Sequence, residues 1–304
     1  MKMLRRTKVN FSKLLYKITK LAIVLTILYI YFTPKIVSRN NASLQHIFPH
    51  KYGDYEINLV IAHPDDEVMF FSPIISQLNS YFPRTVPFNI ICLSKGNAEG
   101  LGETRVRELN ESAALLLHNE RAVSVQVMDF QDGMDEIWDI DSITSSLSQK
   151  IDIKNHNLNQ IIVTFDSYGV SNHINHKSCY AAVKKLVDDY AQPKTKRNEQ
   201  PPHVTALYLR SYKNNIVLKY NSFIWEILKI LYDLISPFRR IIQALPPNTA
   251  AEKDKLSLMN THAQYVLAFA TMLNAHESQV VWFRYGWWIF SRFVFVNEFD
   301  VYTY

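Results

Sequence analysis

The chain has 304 residues, of which 48% are hydrophobic and 20% charged, so it can form one large or two modest folded domains and is not disordered. Only two cysteines are present, which excludes a disulfide-rich secreted scaffold, and seven glycines argue against Gly-rich linkers and nucleotide-binding loops. The net charge of +5 is unevenly distributed: residues 1–53 carry ten basic side chains and no acid, which leaves 23 basic and 28 acidic groups, or −5, on the rest. Because the body is mildly acidic, we expect no nucleic-acid partner.

An apolar run near the N-terminus predicts a membrane anchor. Residues 21–34 contain no charge, and extending the run back to residue 14 adds only Lys17 and Lys20, whose long side chains can reach the headgroups. About 20 apolar residues in a helix span a bilayer. The alternative is a cleaved signal peptide, but no small-residue cleavage site follows Phe32. We therefore expect three N-terminal segments: a basic tail over 1–13, a transmembrane anchor over 14–33 and a linker over 34–56.

Strand-like and helix-like patterns alternate along the chain after the linker. The predicted strands are 57–62, 88–94, 123–128, 160–165 and 204–209, and the predicted helices are 66–79, 103–118, 141–151 and 176–190. Such alternation is typical of a parallel sheet covered on both faces. We expect an α/β catalytic domain over 57–304, with a Rossmann-like, doubly wound, mostly parallel sheet preceded by one transmembrane helix. Residues 191–203 are polar and contain proline, which predicts a surface loop.

The C-terminal part, 210–304, has a different character. Residues 222–245 are rich in Ile, Leu and Phe at helical spacing, with Lys229, Arg239 and Arg240 among them, and residues 282–295 hold eight aromatic side chains and two arginines. Large apolar segments can simply cover a sheet, whereas aromatic and basic residues together are also typical of a segment that rests on a membrane surface. The sequence leaves both interpretations open.

Charged residues cluster directly after the first predicted strand, in the sequence His63-Pro64-Asp65-Asp66-Glu67. Burying one histidine and three acids on a single turn is unfavourable unless they are paired, and a metal ion would stabilise them. The alternative is a polar loop in which an aspartate caps the following helix.

A second cluster follows the fourth predicted strand. It contains Asp166 and then His173 and His176, which lie on the same face if their segment is helical. Histidines that pack in a core or cap a helix are the alternative. Asp129 and Asp132 follow the third strand, and residues 94–96 follow the second.

All of these polar groups follow strands of one predicted parallel sheet. Ligands of open α/β sheets bind outside the carboxyl ends of the strands, so we expect the groups to converge there. Two histidines and a carboxylate with an open position are typical of a catalytic zinc site, and imidazole ligands disfavour a site for magnesium alone. The sequence therefore predicts a metal-dependent hydrolase.

Four segments resemble a known family. Residues 62–67, AHPDDE, are similar to the signature of the LmbE-like de-N-acetylases, and residues 165–166 with 169–176 resemble the second motif of that family in its eukaryotic form. Residues 102–109 resemble the helix between the two motifs. Residues 276–279 and 282–284, followed by Ser291 and Arg292, resemble the C-terminal motif of the membrane-anchored eukaryotic branch.

The resemblance implies zinc-dependent hydrolysis of the acetamide of N-acetylglucosaminylphosphatidylinositol, a membrane glycolipid, as the second step of GPI-anchor synthesis. It implies that the protein is a hydrolase that acts on a linear amide. Two alternatives stay open: a deacetylase of a soluble GlcNAc conjugate, and a catalytically silent membrane scaffold on the same fold.

The resemblance also assigns roles to the charged residues of the two clusters. His63, Asp66 and His176 are implied to ligate Zn²⁺, or another divalent metal. Asp65 is implied to be the general base that takes a proton from water. His173, in protonated form, is implied to stabilise the oxyanion or to protonate the leaving group.

Five further residues are candidates for supporting or substrate-binding roles. Asp166 either orients one of the histidines or caps a helix. Arg105 and Glu108 form either a structural ion pair or a contact with the substrate phosphate. His276 and Gln279 belong to the C-terminal motif without a more specific role.

The topology signals conflict. Seven of the first 20 residues are basic, which favours a cytosolic N-terminus and a body across the membrane. The resemblance implies a single-pass protein of the endoplasmic reticulum whose catalytic domain faces the cytosol, and the low cysteine content agrees with that reducing compartment. We expect the cytosolic arrangement.

Overall fold

The structure is a computed structural model that describes residues 11–118, 121–155, 157–191, 204–235 and 255–304. Most of the expected basic tail, the expected surface loop beyond residue 191, and Arg239 and Arg240 lie outside the described residues.

The N-terminal apolar run forms helix α1, Phe11–Tyr31. Its segment Ser12–Tyr31 has a mean hydropathy of 1.7 and is almost entirely exposed, so by length and composition it could cross a membrane. The last turn of α1 is different, because Tyr29 is buried in the domain. The Tyr29 ring stacks on Phe223 with 4.7 Å between centroids, and its hydroxyl donates a hydrogen bond to the Asn260 carbonyl.

The segment that we expected to be a linker contains helix α2, Thr33–Ile47, which packs against the domain. Pro34 lies in its first turn, where the missing N–H needs no partner. Ile36, Asn40 and Leu44 form its buried stripe. The Asn40 amide donates to the Met259 carbonyl at 2.7 Å, which satisfies a polar group inside the packed surface.

Seven strands form one sheet in the order β3-β2-β1-β4-β5-β7-β6. Their bounds are Tyr55–Ile61 for β1, Phe88–Cys92 for β2, Val123–Val127 for β3, Asn159–Phe165 for β4, Val204–Leu209 for β5, Lys255–Met259 for β6 and Val296–Thr303 for β7. The five strands that the sequence predicts are mutually parallel. The sequence analysis did not predict the two C-terminal strands. β7 pairs antiparallel to β5, and β6 pairs antiparallel to β7 at the edge of the sheet. The mostly parallel, doubly wound sheet is confirmed.

The helices cover both faces of this sheet. They are α3 Asp66–Phe70, α4 Ser72–Tyr81, α5 Gly102–Leu116, α6 Ile140–Lys150, α7 Gly169–Asn172, α8 Ile174–Ala191, α9 Ile216–Lys219, α10 Ile224–Ile235, α11 His262–Ala275 and α12 Trp282–Phe290. Helices α2, α4, α5 and α11 pack together, while α6 packs against α8. The single helix predicted over 66–79 is broken at Phe71, just before Pro73 enters the first turn of α4.

The strand order of the sheet places a candidate site at the carboxyl ends of β1 and β4. β1 pairs with β2 on one side and with β4 on the other, so the strand order reverses between β1 and β4. In open α/β sheets the crossovers diverge at such a point and leave a crevice outside the carboxyl ends of the strands. The two charged clusters of the sequence follow these two strands.

Candidate active site

Three buried side chains form a compact cluster at the carboxyl ends of β1 and β4. His63 follows β1, Asp66 begins α3, and His176 lies in the first turn of α8. One potential ligand atom from each lies within 4.8 Å of the others. His176 Nε2 is 3.2 Å from Asp66 Oδ1, and His63 Nδ1 is 3.8 Å from Asp66 Oδ2. The structure thus brings together all three residues that the resemblance implies as metal ligands.

Each histidine of this cluster has its other ring nitrogen beside an acceptor. His63 Nε2 lies 3.1 Å from Asp132 Oδ1 and 3.2 Å from Asn175 Oδ1, and His176 Nδ1 lies 3.1 Å from the Gly169 carbonyl. A proton on these outward nitrogens leaves lone pairs on His63 Nδ1 and His176 Nε2, which face Asp66. Metal-binding histidines commonly have this second hydrogen bond, which fixes ring orientation and tautomer.

The charges of the cluster are also those that a cation needs. Burial would raise the pKa of Asp66, but His176 and His63 lower it well below its usual range, so the carboxylate is ionised. Asp66 Oδ2 also accepts backbone hydrogen bonds from Ala62 at 3.0 Å and His63 at 2.9 Å. Two imidazoles and one ionised carboxylate form a donor set that fits Zn²⁺ and similar divalent ions.

Asp65 occupies a strained backbone position next to the cluster. Its φ of 120° lies in the region that favours glycine, where another residue costs about 1–3 kcal/mol. Its backbone N–H donates to Glu67 Oε2 at 3.0 Å, and its carboxylate accepts a hydrogen bond from Arg284 Nη2 at 2.7 Å. The guanidinium of Arg105 lies 4.0 Å away. The turn therefore holds the Asp65 carboxylate between two arginines beside the metal-ligand cluster.

His173 stacks on His176, with 4.9 Å between ring centroids, and meets the edge of His63 at the same separation. Burial and these two neighbouring imidazoles lower the pKa of His173 to about 4. The ring is therefore neutral near pH 7, unlike the protonated ring that we expected. The Asn175 backbone N–H donates to Nδ1 at 3.3 Å, which places the ring proton on Nε2. A neutral His173 can still donate a hydrogen bond from that nitrogen.

Asp166 caps the turn between β4 and α8. Its Oδ1 accepts hydrogen bonds from the backbone N–H groups of Tyr168 and Gly169, each at 3.0 Å, and its Oδ2 accepts one from Ser211 N at 2.7 Å. Gly169 in turn offers its carbonyl to His176. Asp166 is thus a cap that also orients His176, a candidate metal ligand, through the backbone, which combines the two alternatives left by the sequence.

A buried polar network lies behind the cluster. His276 and Glu67 are fully buried, with His276 Nε2 2.6 Å from Glu67 Oε1. Gln279 Nε2 lies 2.8 Å from His276 Nδ1 and donates to Glu108 Oε2 at 3.1 Å. Glu108 also accepts from the backbone and hydroxyl of Ser278. These residues join α3, α5 and the segment after α11, and full burial keeps His276 from touching a substrate.

Arg105 and Glu108 have separate partners rather than forming the ion pair that we considered. Arg105 Nη1 donates to the Gly96 carbonyl at 2.8 Å and lies 3.6 Å from Asp132 Oδ2. Its Nη2 donates to Gln279 Oε1. Arg105 therefore connects the turn after β2 with the turn after β3 and with the buried polar network.

Comparison with known proteins shows the family of the chain. Residues 58–187 match the family model PIG-L, GlcNAc-PI de-N-acetylase. A probable N-acetylglucosaminyl-phosphatidylinositol de-N-acetylase of Schizosaccharomyces pombe is 33% identical over 243 residues, which are 79% of this chain and 84% of the relative. The chain belongs to the GlcNAc-PI de-N-acetylase family.

Other members and one solved structure are also similar to the chain. The N-acetylglucosaminyl-phosphatidylinositol de-N-acetylase of Bos taurus is 32% identical over 241 residues, 79% of this chain and 81% of the relative. An N,N'-diacetylchitobiose deacetylase from Pyrococcus horikoshii has a TM-score of 0.45 and 14% identity, covering 85% of this chain and 86% of that one.

The sequence analysis of this family member missed several residues of the site. It noted Asp132 only as a strand-end residue, and its position after β3 was the available signal. It gave no role to Glu67, Asn175 or Arg284, all of which contact ligand or base candidates. Arg284 lies in the aromatic C-terminal run, and its local sequence carries no signal for a site 219 residues away.

Proposed function

We propose that this GlcNAc-PI de-N-acetylase family member hydrolyses the acetamide of N-acetylglucosaminyl-phosphatidylinositol, which yields glucosaminyl-phosphatidylinositol and acetate, the second step of GPI-anchor synthesis. The observation that carries the proposal is the buried His63, Asp66 and His176 cluster beside the strained Asp65. The names of the relatives support the choice of substrate. A cavity of 460 Å³ is lined in part by Ser94 and by Asp132, whose carboxylate lies 3.1 Å from His63 Nε2, and it offers room for a polar sugar near the cluster.

The metal that we propose is zinc, held by His63, Asp66 and His176. A divalent ion bound there supplies Lewis acidity, which acidifies water and polarises the amide carbonyl. Asp132 and the Gly169 carbonyl fix the orientation of the two imidazoles through their outward nitrogens.

Asp65 is the proposed general base. Its carboxylate takes a proton from water while the water oxygen bonds to the carbonyl carbon. The amine leaves only after its nitrogen is protonated, and Asp65 can return the same proton to it as the C–N bond breaks. The products are then acetic acid, which keeps the second hydrogen of the water, and a free amine; near pH 7 the acid gives up that proton and the amine takes one, which leaves acetate and an ammonium group. Arg284 and the strained turn keep the carboxylate aimed at this position.

His173 is the proposed oxyanion donor. Its Nε2–H donates to the oxygen that becomes negative as the carbonyl carbon turns tetrahedral, and a donor in such a position contributes about 3–4 kcal/mol. Because the ring is neutral near pH 7, it stabilises the oxyanion by a hydrogen bond without giving up its proton.

The proposed location is the membrane of the endoplasmic reticulum, with α1 as a single span and the catalytic domain on the cytosolic side. The exposed apolar length of α1 supports a span, and two free cysteines agree with a reducing compartment. Protease treatment of sealed microsomes tests the orientation. We expect a C-terminal tag to be digested, and full protection would place the domain in the lumen.

An acetate-release assay on the purified full chain tests the activity. The substrate is N-acetylglucosaminyl-phosphatidylinositol in detergent, with and without a chelator, and bound metal is measured in parallel. We expect the chelator to abolish acetate release and zinc to restore it. Asp65→Asn should lower kcat by about 10²–10⁴-fold with metal still bound. Acetate release that survives both treatments would contradict the mechanism.

A further inference from the structure

Helix α12 presents an apolar face to solvent. With about 100° of rotation per residue, five residues lie on one side of the helix, and each is 49–84% exposed: Trp282, Phe283, Tyr285, Ile289 and Phe290. Trp288, on the opposite side, is 1% exposed. The outer face carries no charged side chain. A surface helix that faces water carries charged and polar residues on its outer side. The apolar outer face of α12 is instead typical of a surface that contacts a partner or a membrane.

A second exposed apolar segment lies on another side of the site. In and directly after α9, Ile216 and Val217 are each 75% exposed and Tyr220 is 49% exposed. Lys219, between them, donates to the carbonyl of Val170 in the turn that leads to His176. We call the outer residues of α12 together with Ile216, Val217 and Tyr220 the apolar rim.

Both parts of the apolar rim are linked by a hydrogen bond to turns that carry candidate site residues. Arg284 projects from the inner side of α12 and donates to Asp65 at 2.7 Å, just as Lys219 reaches the turn before His176 from α9. The rim is therefore linked to two turns of the site, and whatever contacts the rim lies close to the site.

The apolar rim is also continuous with the membrane helix. The Arg292 N–H donates to the Lys219 carbonyl at 2.8 Å, and the Ser222 N–H donates to the Phe290 carbonyl at 3.1 Å, which joins α9 and α10 to α12. Phe223, one residue after this second bond, stacks on Tyr29 of α1. A helix that could cross a membrane thus ends directly against the elements that carry the rim.

Basic side chains stand beside the apolar residues. The ammonium groups of Lys213 and Lys219 lie 5.5 Å and 5.1 Å from the centroid of the Tyr168 ring, next to α9. Aromatic and basic residues together suit the boundary between acyl chains and anionic headgroups. In water alone, the aromatic side chains of this surface would remain exposed to solvent, which is unfavourable for apolar area.

We propose that the apolar rim rests in the lipid–water interface of the membrane that α1 crosses, so that the site opens onto the headgroup layer. The occupant of this surface is the bilayer itself, because the rim is continuous with the membrane helix. The consequence for substrate capture rests on the proposed function. A glycolipid whose acyl chains stay in the bilayer can then reach the site without leaving the membrane.

A depth measurement on the full chain tests the contact without using activity. Both native cysteines are buried, so Phe283→Cys can be labelled selectively with a polarity-sensitive fluorophore. Tyr52→Cys is the matched control. Tyr52 is 80% exposed and precedes the amino end of β1, whereas the site follows the carboxyl end of that strand. In nanodiscs of phosphatidylcholine and phosphatidylinositol, we expect nitroxide-labelled lipids to quench the label at position 283 and not the label at 52. Equal quenching at the two positions would overturn the inference, as would protection of position 283 by a second copy of the chain.

An activity comparison tests the consequence for substrate capture. Phe283→Glu combined with Ile289→Glu puts charge on the outer face of α12. We expect kcat/KM for nanodisc-embedded substrate to fall about tenfold or more, with no change for a deacylated, water-soluble analogue. Equal losses on both substrates would contradict the role of the rim. If the wild-type chain deacetylates neither substrate, the proposed function fails and the quenching experiment alone decides the membrane contact.

Discussion

The Arg284 guanidinium donates a hydrogen bond to the Asp65 carboxylate at 2.7 Å, although 219 residues separate the two in the chain. Asp65 belongs to a strained turn after the first strand, and Arg284 belongs to an aromatic helix near the C-terminus. The C-terminal part of the chain is therefore not only a cover for the sheet, because it holds the proposed base in position.

Arg284→Ala should lower kcat by about 10- to 100-fold, because a charge-assisted hydrogen bond that orients the base is lost. KM and bound metal should change little. Arg284→Lys, which keeps the charge, should recover part of kcat. Steady-state kinetics on detergent-solubilised substrate check this, and a change confined to KM would show that Arg284 binds substrate instead of positioning Asp65.

Asp132 accepts from the outward nitrogen of His63, and the hydrogen bond from His63 lowers the pKa of Asp132 against the opposing effect of burial. Asp132→Asn should weaken metal binding or activity by about 10- to 100-fold, since the imidazole loses its orienting carboxylate. Asp129→Asn is the control, because Asp129 follows the same strand with its side chain 85% exposed. Metal titration of both variants distinguishes them, and equal affinities would remove Asp132 from the metal site.

Gly169 has a φ of +64°, and a Cβ there would lie 2.8 Å from the Cβ of His176. Gly169→Ala should displace His176 and weaken metal binding. We expect a loss of about tenfold or more, since changes that disturb the orientation of a metal ligand typically cost about 10- to 100-fold in metal affinity. Gly100→Ala is a matched control: its φ is +76°, and a Cβ there meets nothing within 4 Å. Both variants should lose about 1–2 kcal/mol of stability from backbone strain. Only Gly169→Ala should lose metal in equilibrium dialysis, and a similar loss in Gly100→Ala would point to a general folding defect.

The buried pair of Glu67 and His276 should make stability depend on pH. Burial would lower the pKa of His276, but Glu67 raises it above the usual value of 6.5. A raised pKa in the folded state means that the charged imidazole stabilises the fold fully below about pH 6.5, and that this contribution is lost as pH rises through the folded-state value.

We expect His276→Gln to reduce the free energy of unfolding by about 3–5 kcal/mol at pH 6, because one partner of a buried pair is left alone. The difference between wild type and variant should shrink by pH 9. Denaturant unfolding in detergent, with chelator in every sample to exclude metal effects, measures this difference. A gap that is the same at both pH values would mean that His276 is neutral in the fold.

The central sheet was predictable because its parallel strands are buried on both faces and read as short apolar runs between helical segments. The C-terminal strands were harder to predict. Residues 296–303 partly alternate with the period of two that a half-buried strand shows, but they directly follow a run of aromatic residues that obscures the pattern. Helix α2 resembled a linker because its buried stripe includes the polar residue Asn40, which interrupts the apolar pattern of the sequence. Asn40 can be buried because its amide donates to the Met259 carbonyl, a partner that only the fold provides.

The convergence of the charged clusters was predictable because they follow neighbouring strands, and strand ends of a parallel sheet meet at one edge. The choice of ligand candidates came from the family resemblance, which implied His63, Asp66 and His176. The neutral state of His173 was not predictable, since it depends on burial and on two imidazoles from separate segments. The partner of Glu67 also required the fold, because His276 reaches it across 209 residues.

The burial of Tyr29 changes what removing the anchor would do. A chain cut just after α1 would expose Phe223 and leave the Asn260 carbonyl without its hydroxyl donor. Helix α1 is therefore partly a core element, because its last turn packs into the domain that contains the sheet. A shortened chain would need to keep residues 29–32, because Tyr29 and Phe32 are buried in the domain and their loss would lower its stability.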